Sequence, residues 1–298
     1  RAIGDSKRPL YFLIASALTN IVLDLLFVVV FHMGVAGVGL ATVLAQIVAC
    51  ALTLYTLGTT EDIYRFRFHE MTLDKAVFGR ILIIGIPMGL QSCMYAFSNL
   101  FVHRGINAYG TDTVAANTAF GRIDALFWNS SNALGQSCLT FCGQNFGAGN
   151  IQRVRKGVRT GIVMYIIGGA AIAGFLYIYG SVFFHLFTSD TNVIDIAVSI
   201  MRFQCPFWIV FSFVEILSCS LRACGDSLIP MIMTTMVMGV FRISWILFYP
   251  AKNLFDTIRC YPISWSLLAG LYIIYYLQGG WLKRCLKQKE KLMEANRV

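Results

Sequence analysis

Long apolar stretches alternate with short polar or basic loops from one end of the chain to the other. About 20 consecutive apolar residues carry a helix across the hydrocarbon core of a bilayer. By that criterion the sequence predicts eight membrane-spanning helices, over 9–31, 36–57, 80–103, 113–141, 158–184, 192–220, 228–249 and 259–281. Pro9 and Pro230 fall in the first turn of their helices, where a missing N–H is no loss. Pro87 and Pro206 lie inside spans and are expected to kink them. The expected fold class is all-α, a polytopic membrane protein.

Composition narrows the classes further. Of 298 residues, 57% are hydrophobic and 13% charged, against about 45–50% and about 25% in soluble domains. The mean hydropathy is +0.67. A soluble enzyme, a disordered chain and a nucleic-acid-binding domain are all excluded by these values. The net charge of +9 takes its meaning from placement. Eighteen of the 24 Lys and Arg fall in loops 1–8, 58–80, 142–159 and 221–227 and in the tail 282–298. The opposite loops, 32–35, 104–112, 185–191 and 250–259, hold three. The positive-inside rule puts both chain ends in the cytoplasm, as an even number of spans requires, and the expected location is the cell membrane. The expected partners are the lipid bilayer and a small-molecule substrate, with no nucleic acid. Nine Cys without a CxxC pair read as buried, reduced thiols. No P-loop, HExxH or GxSxG occurs, so neither P-loop ATP binding nor an enzyme of those kinds is expected.

A short repeat extends the architecture. RAIGDSKRP at 1–9 and RACGDSLIP at 222–230 match at six of nine positions. Both copies lie in loops on the basic side and end on the Pro that opens a span. Six spans separate them, so the two copies share one orientation, as in a parallel repeat. The expectation is a parent protein with twelve spans in two six-helix lobes, of which this chain is an N-terminally truncated part. Residues 1–79 would be the last two helices of the first lobe with an inter-lobe linker. Residues 80–281 would be the complete second lobe, and 282–298 a basic cytoplasmic tail.

Several of these segments resemble the multidrug and toxic compound extrusion (MATE) family. They are the RAxGDSxxP loop in each half, GIPMGLQSCMYAFSN at 85–99, and GQNFGAGN at 143–150 followed by RVRK at 153–156. The resemblance implies a twelve-helix, two-lobe antiporter, acting as a monomer, that exports organic compounds against a Na⁺ or H⁺ gradient. No cofactor is expected beyond that coupling ion. Sister families with similar lobes flip lipids or lipid-linked oligosaccharides, which is the alternative.

The first two spans carry a polar layer. They form an antiparallel hairpin whose turn is centred near Met33, so residues equidistant from it share a depth. Asp24 then lies level with Thr42 and Asn20 with Gln46, and each pair on one helix is spaced i,i+4. A carboxylate at that depth costs several kcal/mol unless it is paired, protonated or hydrated. The four residues read as a Na⁺ or proton site, or as hydrogen bonds that hold the two helices together. The family resemblance implies the first for Asn20, Asp24 and Thr42, matched in type and spacing to a first-lobe cation site.

The second lobe contains further charges inside its spans. Arg122, Asp124, Arg202 and Arg242 read as a structural charge network, or as an attraction for an anionic or zwitterionic substrate group. Glu215, near the cytoplasmic end of its span, reads as the ion-pair partner of Arg222, and the family resemblance implies a coupling role for it instead. Gln91, Met94, Phe97 and Asn99 from one span, with Asn132 and Gln136 from the next, are expected to line a substrate cavity, offering adaptable apolar and hydrogen-bonding contacts.

Overall fold

The computed structural model describes residues 4–5, 7–62, 64–67, 69, 72 and 74–295. Among them every regular element is helical. The chain divides into two compact units, Arg1–Ala76 and Val77–Val298.

The first unit is a helical hairpin. Asp5 Oδ1 accepts from the backbone N–H groups of Lys7 and Arg8 at 3.0 and 3.2 Å, satisfying donors that the start of a helix leaves free. Helix α1 (Lys7–Leu25) continues through a π-helical turn, Leu26–Val30. The chain reverses where His32 and Gly34 take φ of 53° and 55°, and α2 runs over Gly34–Thr59. Gly37, Ala41 and Ala45 are the buried residues of α2. Four residues apart, they form one smooth stripe that lets α1 come close. A Cβ on Gly37 would stand 2.9 Å from Phe27 Cβ. Ser16, the buried residue of α1, donates to the Ala45 carbonyl at 2.7 Å. Small residues and one hydroxyl are what a helix pair in lipid uses, since no hydrophobic drive separates protein from solvent there.

The second unit is a helix bundle. Helix α3 (Lys75–Asn107) runs through Pro87 without interruption. Next come α4 (Thr111–Gly147) and α5 (Ile151–Phe184). Pro206 sits in a 3₁₀ turn, Cys205–Phe207, that separates α6 (Thr191–Gln204) from α7 (Trp208–Ala223). A π-helical segment, Thr235–Phe241, joins α8 (Leu228–Thr234) to α9 (Arg242–Phe248). The short α10 (Leu254–Ile258), α11 (Cys260–Gln278) and α12 (Gly280–Ala295) complete it.

All eight expected spans are helical. Among the described residues seven helical stretches are long and apolar enough to cross a membrane, and α4, the longest helix, is not among them. Its Asn, Gln, Ser and Thr residues dilute its apolar content below that of a lipid-facing helix. Its buried face is largely apolar and aromatic, and Asn129, Ser130, Gln136 and Ser137 lie on its exposed face. Phe127 stacks on Trp208 at 4.2 Å between ring centroids, and Trp128 meets Phe211 edge-on at 4.8 Å. The Ser131 and Tyr165 hydroxyls share a hydrogen bond of 2.6 Å.

The motif loops have defined shapes. Gly4 and Gly225, equivalent positions of the repeated RAxGDSxxP sequence, have φ of 90° and 99°. A non-glycine residue would be strained at either. In GQNFGAGN, Gly149 takes φ of 78° and Asn150 caps α5 by accepting from the Arg153 N–H at 3.1 Å. The basic tail is not free at this end. Lys289 Nζ donates to the carbonyls of Phe146 and Gly147 at 2.9 and 2.8 Å, capping the end of α4. Arg284 pairs with Asp226 at 3.6 Å.

A polar cavity in the second unit

Helices α3, α4 and α7 line a partly open cavity of about 510 Å³, with contributions from α8, the following π-helical segment and α11. Each of the first three presents one face to it. From α3 come Gln91, Ser92, Tyr95 and Asn99; from α4, Asp124, Trp128 and Asn132; from α7, Phe211, Val214, Glu215, Ser218 and Arg222. These spacings of three, four and eight are those of residues that share a helix face.

The polar side chains of the wall are only partly satisfied. Gln91 Nε2 donates to Thr234 Oγ1 at 3.2 Å, and that hydroxyl also bonds the Tyr272 hydroxyl at 3.0 Å. Gln91 Oε1 is buried without a partner. Asp124 Oδ2 accepts from Trp128 Nε1 at 2.7 Å, while Oδ1 is buried without a partner. Glu215 Oε1 accepts from the Cys219 thiol at 3.5 Å, and Arg222 Nη2 donates to the same sulfur at 3.1 Å. Cys219 thus stands between a carboxylate and a guanidinium that form no salt bridge with each other. Gly135 makes room for the carboxylate: a Cβ there would stand 2.2 Å from Glu215 Oε1.

The residues singled out from sequence are distributed unevenly around this cavity. Gln91, Asn99 and Asn132 line it. Met94, Phe97 and Gln136 are not on its wall. Met94 packs over Gly239, where a Cβ would come within 2.9 Å of its Cε. Phe97 is 51% exposed beside Phe101, and Gln136 is exposed. Asp124 and Glu215 both belong to the wall. The four charges taken together as a network are not gathered. Arg122 is exposed, and Arg202, also exposed, lies over the Tyr177 ring at 5.4 Å. Arg242 is fully buried. It donates from Nε to Ser264 Oγ at 2.8 Å and from Nη1 to Asn99 Oδ1 at 3.4 Å, between the rings of Tyr261 and Tyr95. Tyr95, Trp128, Phe211 and Arg222 were not singled out for the cavity. Their signal was the helix face: Trp128 lies midway between Asp124 and Asn132, four residues from each.

In the hairpin, Asn20 and Asp24 are half-buried, and Asn20 Nδ2 and Asp24 Oδ1 have no partner. Thr42 and Gln46 are exposed, one position round the helix from the buried Ala41 and Ala45. The Thr42 hydroxyl donates to its own helix, at Val38 O, 2.9 Å away. Ser16, which counting from Met33 would place level with Cys50, meets Ala45 instead.

The chain is a multi-pass helical membrane protein by the length and composition of its helices, and comparisons with known proteins give its family. Residues 87–246, more than half of the chain, match the family model MatE, and the chain belongs to that family. It is 26% identical over 95% of its length to "Probable multidrug resistance protein YoeA" of Bacillus subtilis, covering 63% of that protein. It is 29% identical over 86% of its length to "Probable multidrug resistance protein YpnP" of the same organism, covering 56%. A crystal structure described as MATE in complex with MaL6 superposes with a TM-score of 0.85 at 20% identity, over 96% of this chain and 64% of that one. The chain therefore spans less than two thirds of the length of the relatives it matches.

Proposed function

We propose that the protein is a secondary antiporter that exports organic compounds, cationic or amphipathic, in exchange for Na⁺ or H⁺. The second unit forms one lobe of a two-lobe carrier that exposes its cavity alternately to the two sides of the cell membrane. Its basic loops and both ends of this chain face the cytoplasm. The observation that carries this reading is the cavity itself. Two carboxylates, Asp124 and Glu215, stand on its wall without a salt-bridge partner among the described residues, beside aromatic surfaces suited to an organic molecule. An unpaired carboxylate in a low-dielectric site gains by taking up a proton or a cation, which links ion binding to the occupancy of the same space. Asp24, with its unpartnered Oδ1, is assigned a coupling role in the hairpin on the same grounds. The names of the relatives, multidrug resistance proteins, support export of more than one compound.

Reconstitution in liposomes with an imposed Na⁺ or pH gradient and a fluorescent cationic dye tests the reading. Gradient-driven movement of the dye is expected, and Asp24→Asn in the full-length protein is expected to abolish it. Lipid flipping without dye movement would favour a flippase, and undiminished coupled efflux in Asp24→Asn would remove that residue from the mechanism.

A further inference from the structure

The tail helix α12 is fastened across the end of the bundle that carries its basic loops. Gly279, in the left-handed region at φ of 68°, ends α11 and turns the chain, and α12 starts at the next residue. Trp281 and Cys285, four residues apart on one face of α12, are buried. The Trp281 ring stacks on Tyr276 at 5.3 Å, and its Nε1 donates to the Tyr276 carbonyl at 3.0 Å.

Two further contacts tie α12 to two different loops. Arg284 pairs with Asp226 at 3.6 Å, and both meet the Tyr275 hydroxyl. Asp226 sits in the turn from α7 to α8, where its backbone N–H donates to the Leu221 carbonyl at 3.0 Å. Lys289, five residues on and about 7.5 Å along the helix axis, holds the Phe146 and Gly147 carbonyls at the end of α4. Its ammonium also lies 5.5 Å from the Phe146 ring centroid. One short helix thus reaches from the turn before α8 to the end of α4. The end of α7 adjoins α4 there: a Cβ on Gly143 would stand 3.7 Å from the Ala223 carbonyl. All three helices line the cavity, and Arg222, on its wall, is four residues from Asp226.

The first unit fastens its own loop with the same chemistry. Asp5, the counterpart of Asp226 in the repeated RAxGDSxxP sequence, pairs with Arg8 at 3.5 Å. Arg8 Nη1 in turn donates to the Tyr64 hydroxyl at 3.4 Å. Tyr64 follows the second span after its loop, as Arg284 follows the second span after Asp226. In both units an aspartate, an arginine and a tyrosine bind the returning chain to the loop.

We propose that α12 is a strap: it holds the ends of α4, α7 and α8 together, and the Arg222 end of the cavity opens only when the strap lets go. The inference concerns how the cavity is closed and does not depend on what it carries.

Thiol labelling tests it, because buried cysteines lie at successive positions behind the strap. Cys285 is on α12 itself, Cys224 caps the end of α7, and Cys219 bonds Arg222. The rates of reaction with N-ethylmaleimide are read residue by residue, by peptide mass spectrometry, on the whole protein in lipid nanodiscs. Arg284→Gln and Lys289→Ala each cut one end of the strap. Each is expected to raise the rate at all three thiols by about twofold to fivefold, the range for a partly exposed ionic contact. The two cuts together are expected to multiply, since both contacts resist one opening. Arg284→Lys is expected to stay near the wild-type rate. Cys260, at the far end of α11, is the control for loss of the fold. Faster labelling of Cys285 alone, with Cys224 and Cys219 unchanged, would make α12 a passenger and overturn the inference. A rise at Cys260 in step with the other three would mark general loosening and overturn it too.

Discussion

The hairpin and the bundle hold together in different ways. In the hairpin the large apolar side chains point outward: Leu18 is 59% exposed, Val22 62% and Leu25 59%. Its helices meet along Gly37, Ala41, Ala45 and Ser16, the smallest side chains available. The bundle also exposes apolar side chains, such as Ile178 at 68% and Phe248 at 82%, but it buries large ones in an interior. Trp208, Trp265, Tyr165 and Tyr272 are among its largest fully buried residues, and half of the most apolar window of Thr191–Ala223 is buried. The first arrangement depends on close backbone approach, and the second on aromatic packing around a polar cavity. Bulk is therefore disfavoured in the seam of the hairpin and required in the core of the bundle.

The largest expected effect tests the bundle side of that contrast. Trp208→Ala removes the ring stacked on Phe127 and is expected to cost about 3–5 kcal/mol, seen as a fall in the unfolding midpoint in detergent. A loss below about 1 kcal/mol would mean that this ring stack is not part of the bundle's core.

Gly135→Ala comes next, because its methyl group would meet Glu215 Oε1. Overpacking of this kind costs about 1–3 kcal/mol. A shorter carboxylate relieves it, so Glu215→Asp added to Gly135→Ala is expected to recover part of the lost thermal stability. No recovery in the double variant would mean that the two residues do not meet.

In the hairpin, Gly37→Ala sets a methyl group against Phe27 and is expected to cost about 1–2 kcal/mol. Gly39→Ala, with nothing within 4 Å, is expected to be neutral or to stabilise by about 0.4–1 kcal/mol through the unfolded chain. Equilibrium unfolding of the two variants side by side sharpens the assignment of the seam. The smallest expected loss belongs to Lys289→Ala. It removes the cation that caps the end of α4 and is expected to cost about 0.3–1 kcal/mol, an effect that weakens as salt is raised. A loss that does not change with salt would point to packing instead of charge.

Much of the fold was legible in the sequence because a membrane imposes a simple code: twenty apolar residues, a loop, and a basic bias on one side. The RAxGDSxxP repeat was legible too, and its glycines at positive φ show why the motif keeps Gly at that place. The grouping of the polar residues was less so. Asp124 and Asn132 are eight residues apart on one helix face and line the same cavity, yet the sequence reading assigned one to a charge network and the other to a substrate site. Arg122, two residues from Asp124, is exposed. The hairpin shows the same limit. Counting outward from Met33 set Asp24 against Thr42, but the small-residue stripe, the π-helical turn and the reversal at His32 give the helices another register.

The sequence by itself determined that the chain is helical, crosses a membrane many times, and carries ionisable groups at depths where they are expensive. Those properties follow from composition along a one-dimensional pattern, because lipid rewards apolar length wherever it occurs. Only the tertiary structure decided which of those groups share a space. Whether Glu215 meets Arg222 or Cys219, and whether Arg242 faces a carboxylate or two tyrosine rings, depends on helix rotation and register to within one residue. A step of one residue turns a side chain through about 100°. Shape complementarity between helices, not hydropathy, selects among those rotations.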